Sequence, residues 1–228
     1  MKLYYSPGAC SLAVHIALRE IGKPFDLERV DLRSHRTASG CDFMVINPKG
    51  YVPALRLDGG GGEMLSETIA VLSYLADLAP EQQLAPPNGT MSRYRLLEKL
   101  TFLSTEVHQQ FALLLHQTGA RVESAARAKI ADRLLYLQDH LGDRPFLMGA
   151  RFSVADAYLF VMLQWCGHHG IDLSMFPDLD AYEHRLAARP SIAAAMSAEG
   201  LLGRPGFGEV VPTPRAVPPR RLFAHRAT

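Results

Sequence analysis

The sequence has few cysteines, almost no net charge and no long apolar run. Its 228 residues include three cysteines and carry a formal net charge of +1. An odd number of irregularly spaced cysteines argues against a disulfide framework, and near neutrality gives no reason to expect nucleic acid or an anionic membrane as a partner. No apolar run reaches the length of a membrane span, and no Cys/His spacing fits a zinc site. With a strand-like start instead of an apolar signal region, we expect a cytoplasmic protein.

What the chain does contain is a change of pattern between its two parts. Through residue 79, short apolar runs that predict strands alternate with segments of helical spacing. The strands are predicted at 3–5, 25–32, 52–57 and 64–65, and the helices at 10–21, 40–46 and 66–78. This order, βαβ-α-ββα, is that of the thioredoxin-like fold. Residues 1–79 are therefore predicted to form a thioredoxin-like α/β domain.

The second part of the chain predicts helices alone. Residues 80–89 contain three prolines and no periodicity, which is typical of an interdomain linker. From 90 to 202, apolar stripes predict an all-α domain, with one continuous helix through 96–114 and another through 126–141. Residues 203–228 hold five prolines and five arginines against one glutamate, and we interpret them as a tail outside both domains.

The segment after Ser153 is apolar nearly all round, so the helix predicted there should be the buried axis of the second domain. Ser153 and Asp156 have the spacing of a capping box. We therefore interpret Asp156 as a structural residue rather than a catalytic one.

Cys10 follows a Pro-Gly turn and precedes a predicted helix. Unpaired N–H groups and the helix dipole favour an anion at such a point, so we expect a lowered thiol pKa and a reactive thiolate. The alternative is a small apolar side chain that fills the corner between strand and helix. Tyr4, Tyr5, Ser6 and Ser11 are the other candidates for stabilising a nucleophile here. The tyrosines lie within a predicted strand, so Cys10 ranks first and Ser11 second, as a hydrogen-bond donor.

Five motifs in chain order resemble those of the cytosolic glutathione S-transferases, and they are most similar to the bacterial beta class. They are KLYYSPGACSL at 2–12, INPKGYVP at 46–53, LSE at 65–67, EVH at 106–108 and SVADAYLF at 153–160. The resemblance covers residues 1–202. It implies the fold predicted above, glutathione bound in the N-terminal domain, an apolar pocket for a second substrate made largely by the helical domain, and a homodimer.

The resemblance also implies roles for single residues. A cis-proline at Pro53 would turn the backbone of Val52 outward to pair with the cysteinyl part of glutathione. Ser66 and Glu67 would hold the glutamyl carboxylate and ammonium, although the same pair also fits a plain helix cap with a first-turn acid. His108 would face the glutathione sulfur, where it could stabilise the thiolate or move its proton near neutral pH.

Four further positions bear on how firmly glutathione is held. His35 and Gln109 stand where the family often has lysine near the glycyl carboxylate, which predicts weaker binding of the tripeptide. Thr105 and Glu106 match positions that reach the glutathione bound to the neighbouring subunit. Each site is therefore expected to be completed across a dimer.

The second-substrate pocket has two matched positions, Trp165 and His168. His15, His116 and His169 match no functional position, and we interpret them as core or surface histidines.

The predicted activity is transfer of the glutathione sulfur to an electrophile, with glutathione as co-substrate and no metal. Beta-class proteins resemble both conjugating enzymes and thiol–disulfide exchangers. Cys10 has no CxxC partner, so exchange would pass through a mixed disulfide with glutathione. The alternative is a non-catalytic ligand-binding or regulatory protein on the same fold. The presence of every principal site residue favours the enzyme.

Overall fold

The computed structural model describes residues 1–59, 61–116 and 118–203. The predicted tail lies outside the described residues from Arg204 onward. Within the described ranges, no helix combines the length and the hydropathy that crossing a bilayer requires.

The first part of the chain folds around one mixed sheet. Its strands are β1 (Lys2–Tyr5), β2 (Asp26–Asp31), β3 (Arg36–Thr37), β4 (Ala54–Arg56) and β5 (Met64–Ser66), in the order β3-β2-β1-β4-β5. Strand β1 pairs in parallel with β2, with Leu3 opposite Leu27, and antiparallel with β4, with Leu3 opposite Leu55. The helices are α1 (Ser11–Ile21), α2 (Phe43–Ile46) and α3 (Thr68–Leu78). The predicted thioredoxin-like fold is confirmed.

Two differences from the predicted strands have local causes. Strand β3 is not predicted because two residues are too few to show an alternation, and it is held by pairing of Thr37 with Val30. Strand β4 begins at Ala54 rather than at residue 52, because Pro53 has no N–H to donate to a neighbouring strand. The Val52–Pro53 peptide is cis, as the resemblance implies.

The second part of the chain is helical, as predicted. Its helices are α4 (Met91–Phe102), α5 (Gln109–Leu115), α6 (Ala120–Leu141), α7 (Val154–His168), α8 (Pro177–Ala187) and α9 (Pro190–Ala198). Short 3-10 turns lie at Pro80–Gln82 and Leu173–Met175. The change from sheet to helices falls between Leu78 and Met91, where the sequence predicts the linker.

The helix predicted to run unbroken through 96–114 is interrupted. Leu103–His108 form a π-helix between α4 and α5, a rare feature that frequently occurs at functional sites. Leu103 and Val107 are buried within it, so the apolar stripe continues and periodicity alone does not reveal the interruption. His108 is the last residue of this π-helix.

Helix α7 is the buried axis of the helical part, as its composition predicts. Near its start the Asp156 carboxylate is fully buried and accepts four hydrogen bonds. They come from the N–H groups of Leu147 and Ser153, both at 2.7 Å, the Ser153 hydroxyl at 2.7 Å and the Tyr182 hydroxyl at 2.6 Å. The interpretation of Asp156 as a structural residue is confirmed.

Candidate active site

A cavity of about 570 Å³ opens between the sheet and the helical part, a volume typical of small-molecule sites. Its walls are the turn before α1, the segment before β4, the start of α3, the π-helix, α5 and α7. The predicted site residues that line it are Cys10, Val52, Pro53, Glu67, His108, Gln109 and Trp165. Both halves of the chain therefore contribute to one site.

Cys10 lies at the start of α1 on the cavity wall. It is half-buried, and its thiol donates a hydrogen bond to the Val52 carbonyl at 3.3 Å. Burial raises the pKa of this thiol to about 11. The Thr68 hydroxyl and the backbone N–H groups at the helix start oppose the shift, and the Glu67 carboxylate adds to it. The expectation of a lowered pKa is wrong, because loss of water around the sulfur outweighs the helix terminus.

Ser11 does not reach the cavity. Its side chain is fully buried, and its hydroxyl donates to the Ser6 carbonyl and accepts from the Ser6 N–H, both at 3.3 Å. The predicted role of Ser11 as a donor to the substrate sulfur is therefore not supported. Tyr4 and Tyr5 are buried in β1, in keeping with their lower rank.

The turn before α1 is held by the helical part of the chain. The Gly8 N–H donates to the Glu199 carboxylate at 3.0 Å, and the Gly8 carbonyl accepts from the Trp165 indole at 2.8 Å. The other Glu199 oxygen lies 2.8 Å from His15 Nδ1. Arg19 donates to His15 Nε2 at 3.0 Å, which makes Nδ1 the donor to Glu199. His15 is a core histidine, as interpreted.

Glu67 precedes α3 and lines the cavity with a φ of 74°, which is uncommon for a residue other than glycine. Its carboxylate accepts hydrogen bonds from the Lys49 ammonium and from the Tyr51 hydroxyl, the latter at 2.6 Å. The Lys49 and Tyr51 hydrogen bonds lower the pKa of Glu67. An ionised carboxylate at this wall can pair with an ammonium group of a ligand.

Ser66 lies in β5 rather than at a helix start, because α3 begins two residues later. Its hydroxyl accepts a hydrogen bond from Lys49 at 3.0 Å. Thr68 is the hydroxyl residue at the start of α3, and it is buried and lines the cavity. The prediction for Ser66 is therefore wrong about its place in the fold, and Thr68 occupies the position with the favourable helix dipole.

His108 faces the cavity from the end of the π-helix. Its Nδ1 lies 2.7 Å from the Tyr158 hydroxyl, and its ring packs on the Trp165 ring with centroids 4.9 Å apart. Burial lowers the pKa of His108 to about 4, so the imidazole is neutral near pH 7. The expectation that it moves a proton near neutral pH is not supported, whereas hydrogen bonding by the neutral ring is.

His35 and His168 do not line the cavity. The His35 ring packs beside Gly50, with Cε1 3.1 Å from the position that a Cβ would take there. His168 is exposed at the end of α7. Across the described residues, no three His, Cys, Asp or Glu side chains are grouped so that they could hold a metal ion.

Thr105 and Glu106 lie outside the cavity lining of their own chain. Thr105 is exposed, and its hydroxyl donates to the Thr101 carbonyl at 3.0 Å. Glu106 pairs with Lys129 at 3.2 Å and with Arg133 at 3.1 Å, both on α6. A contact of these residues with the glutathione of a neighbouring subunit stays a prediction.

The cavity residues that the sequence analysis misses include Tyr51, Thr68, Tyr158 and His116. Tyr51 and Tyr158 fall inside the motifs that carry the resemblance, so a signal for them was present. Thr68 directly follows a motif residue. His116 lies outside every motif that carries the resemblance. Its interpretation as a core or surface histidine is incomplete, because it lines the cavity.

Comparison with known families covers both parts of the chain. The family model for the glutathione S-transferase N-terminal domain matches residues 8–78, and that for the C-terminal domain matches residues 120–194. The glutathione S-transferase GstA of Escherichia coli O157:H7 is 44% identical over 202 residues, which are 88% of this chain and 100% of GstA.

Solved structures agree with this comparison. A sphingomonad glutathione S-transferase complexed with glutathione is 48% identical, with a TM-score of 0.84 over 88% of this chain and 100% of its own. The bacterial beta class glutathione S-transferase of Sphingomonas chungbukensis is 50% identical, with a TM-score of 0.84 over 89% of this chain and 100% of its own.

Proposed function

Because the chain belongs to the glutathione S-transferase family and is a transferase of the bacterial beta class, we propose that it binds glutathione in the cavity described above and joins it through its sulfur to a small electrophile. The observation that carries this proposal is the convergence of Cys10, Val52, Glu67 and His108 on one cavity. No observation favours the non-catalytic alternative.

The glutamyl and cysteinyl parts of glutathione fit the wall formed by the thioredoxin-like part. The Glu67 carboxylate would pair with the glutamyl ammonium, and the Thr68 hydroxyl with the N–H groups at the start of α3 would receive the glutamyl carboxylate. The Val52 backbone would pair with the cysteinyl amide in the manner of an added strand. Gln109 would face the glycyl end without a charge, which supports weaker binding than in relatives with lysine there.

Cys10 would act in conjugation as a donor rather than as a nucleophile. A neutral thiol donates a hydrogen bond, and that of Cys10 already does so to the Val52 carbonyl. When glutathione is bound, the same S–H would donate to its thiolate. Thiol–disulfide exchange through Cys10 is a side activity in this proposal, because a thiol whose pKa is raised attacks slowly near neutral pH.

Glutathione at millimolar concentration is expected to protect Cys10 from alkylation, measured by mass spectrometry in mildly alkaline buffer. Glu67→Gln removes the carboxylate that would pair with the ammonium, so half-protection should need about tenfold more glutathione, or ~1.4 kcal/mol. Glu63→Gln makes the same change at an exposed position outside the cavity and should leave protection unaltered. Equal alkylation rates with and without glutathione would contradict the proposed site.

We propose further that the chain forms a homodimer through α4 and its continuation. Met91 and Tyr94 on α4 are 69% and 59% exposed, and a partner subunit would cover them. Light scattering at micromolar concentration should give about twice the 25.1 kDa of one chain. Tyr94→Glu should shift the protein towards the monomer, whereas Leu135→Glu, on the exposed side of α6, should not. A wild-type mass near 25.1 kDa would remove the claim.

A further inference from the structure

Tyr158 joins the buried axis of the helical part to the cavity. Its side chain is 1% exposed, yet it is one of the residues that line the cavity. Its hydroxyl lies 2.7 Å from Nδ1 of His108, a residue 50 positions away in the chain. A buried tyrosine hydroxyl needs a hydrogen-bond partner, and the imidazole of His108 supplies it.

The His108 ring is fixed on several sides. Tyr158 holds Nδ1, the two rings meet edge to face with centroids 5.9 Å apart, and the Trp165 ring packs on the imidazole. Nε2 of His108 has no hydrogen-bond partner among the described residues. It is also absent from the group of unbonded polar atoms that are buried, so it is accessible from the cavity. Nε2 is therefore the ring nitrogen that a ligand in the cavity can reach.

The protonation of the pair follows from its burial. Burial raises the pKa of Tyr158 above its usual range and lowers that of His108 to about 4, so both groups are neutral near pH 7. A neutral imidazole has one donor and one acceptor nitrogen, and the partner of one nitrogen decides which is which. A phenol that donates to Nδ1 leaves the imidazole proton on Nε2.

We propose that Tyr158 is a positioning residue that holds His108 with Nε2–H directed into the cavity, where it donates a hydrogen bond to the glutathione thiolate. This inference rests on the proposed function, since it needs glutathione in the cavity. It assigns His108 a fixed donor role and makes the Tyr158 hydroxyl responsible for that role. No proton is transferred to or from His108 in this step.

Tyr158→Phe tests the inference because it removes the hydroxyl and keeps the ring packing. With an aryl halide as second substrate, kcat should fall about tenfold, and KM for glutathione should stay within about twofold. The fall in kcat is smaller than that expected when a hydrogen-bond donor to the developing charge is itself removed. Ultraviolet titration of the bound thiol should show a higher apparent pKa for glutathione.

Tyr182→Phe is the control, because it removes another buried tyrosine hydroxyl, the one bonded to Asp156. It should lower the melting temperature and leave kcat and the thiol titration unchanged.

The double variant decides whether Tyr158 acts through His108. In a His108→Ala background, Tyr158→Phe should change kcat less than about twofold. The inference would be overturned if the losses of kcat from the two single substitutions multiplied in the double variant. It would also be overturned if Tyr158→Phe raised only KM or left kcat unchanged. Nitrogen NMR of the wild-type imidazole provides a measurement without mutation: a proton on Nε2 is expected, and a proton on Nδ1 would overturn it. Failure of the wild type to bind glutathione would instead reject the proposed function.

Discussion

Cys10→Ala should abolish mixed-disulfide formation and thioltransferase activity, yet lower conjugation of an aryl halide by no more than about tenfold, or ~1.4 kcal/mol of transition-state stabilisation. In exchange the Cys10 sulfur is the covalent nucleophile and nothing replaces it. In conjugation the attacking sulfur belongs to glutathione, and Cys10 contributes one hydrogen bond among several. The two activities are measured side by side on the same variant, and His108→Ala should slow both.

The location of the glutathione adduct provides the control for this prediction. Since the proposed site holds glutathione beside Cys10, mass spectrometry of oxidised wild type should show one adduct, on the Cys10 peptide, although this thiol is slow and Cys41 is exposed. Cys166 is buried in α7 and should remain unmodified. Cys41→Ala should leave the adduct in place. An adduct on another cysteine, or normal exchange by Cys10→Ala, would show that Cys10 is not the reactive thiol.

The pH dependence of alkylation follows from the same environment. A pKa of about 11 for the Cys10 thiol leaves about one molecule in ten thousand as thiolate at pH 7. Because the pKa is raised, Cys10 should react more slowly than free cysteine at neutral pH, and its rate should keep rising above pH 9. A rate that levels off near pH 7 would indicate the lowered pKa that the sequence predicts.

Asp156→Ala should cost about 3–5 kcal/mol of the free energy of unfolding, measured by urea denaturation. The carboxylate accepts four hydrogen bonds in a fully buried place. Its removal leaves the Leu147 and Ser153 N–H groups and the Tyr182 hydroxyl without their acceptor. Activity should fall only in proportion to the folded fraction, because Asp156 does not line the cavity.

Asp178 provides the matched control for Asp156. It is also an acidic residue in the first turn of a helix, α8, but it is exposed. Asp178→Ala should cost at most about 1 kcal/mol, the usual contribution of a charge near a helix terminus. A cost for Asp156→Ala as small as that of Asp178→Ala would show that the buried network does not support the fold.

The sequence predicts the features that depend on neighbours three or four residues away. Helical spacing gives α7 and its burial, and the capping box gives the role of Asp156. The pKa of Cys10 is raised instead by burial in the folded chain, which also brings Thr68 and Glu67 to its side. The segment around residue 10 does not reveal the loss of water around the sulfur that raises this pKa.

The start of α3 is misplaced in the sequence analysis for a related reason. Ser66 and Thr68 are both hydroxyl residues beside Glu67, and either could begin a helix. Pairing of Ser66 with Ala54 extends β5 by one residue and moves the helix start to Thr68. The π-helix is hidden in the same way, because Leu103 and Val107 keep the apolar spacing of an α-helix while the backbone departs from it.

The two hydrogen bonds at Gly8 also order events during synthesis of the chain. Glu199, the acceptor of the Gly8 N–H, is synthesised 191 positions after Gly8. Contacts of such separation form late in folding. We therefore expect a nascent thioredoxin-like part to complete its sheet before the loop ahead of Cys10 has either of its partners, Trp165 and Glu199. Cys10 is therefore expected to reach its final place only after the segment that carries Glu199 has been synthesised.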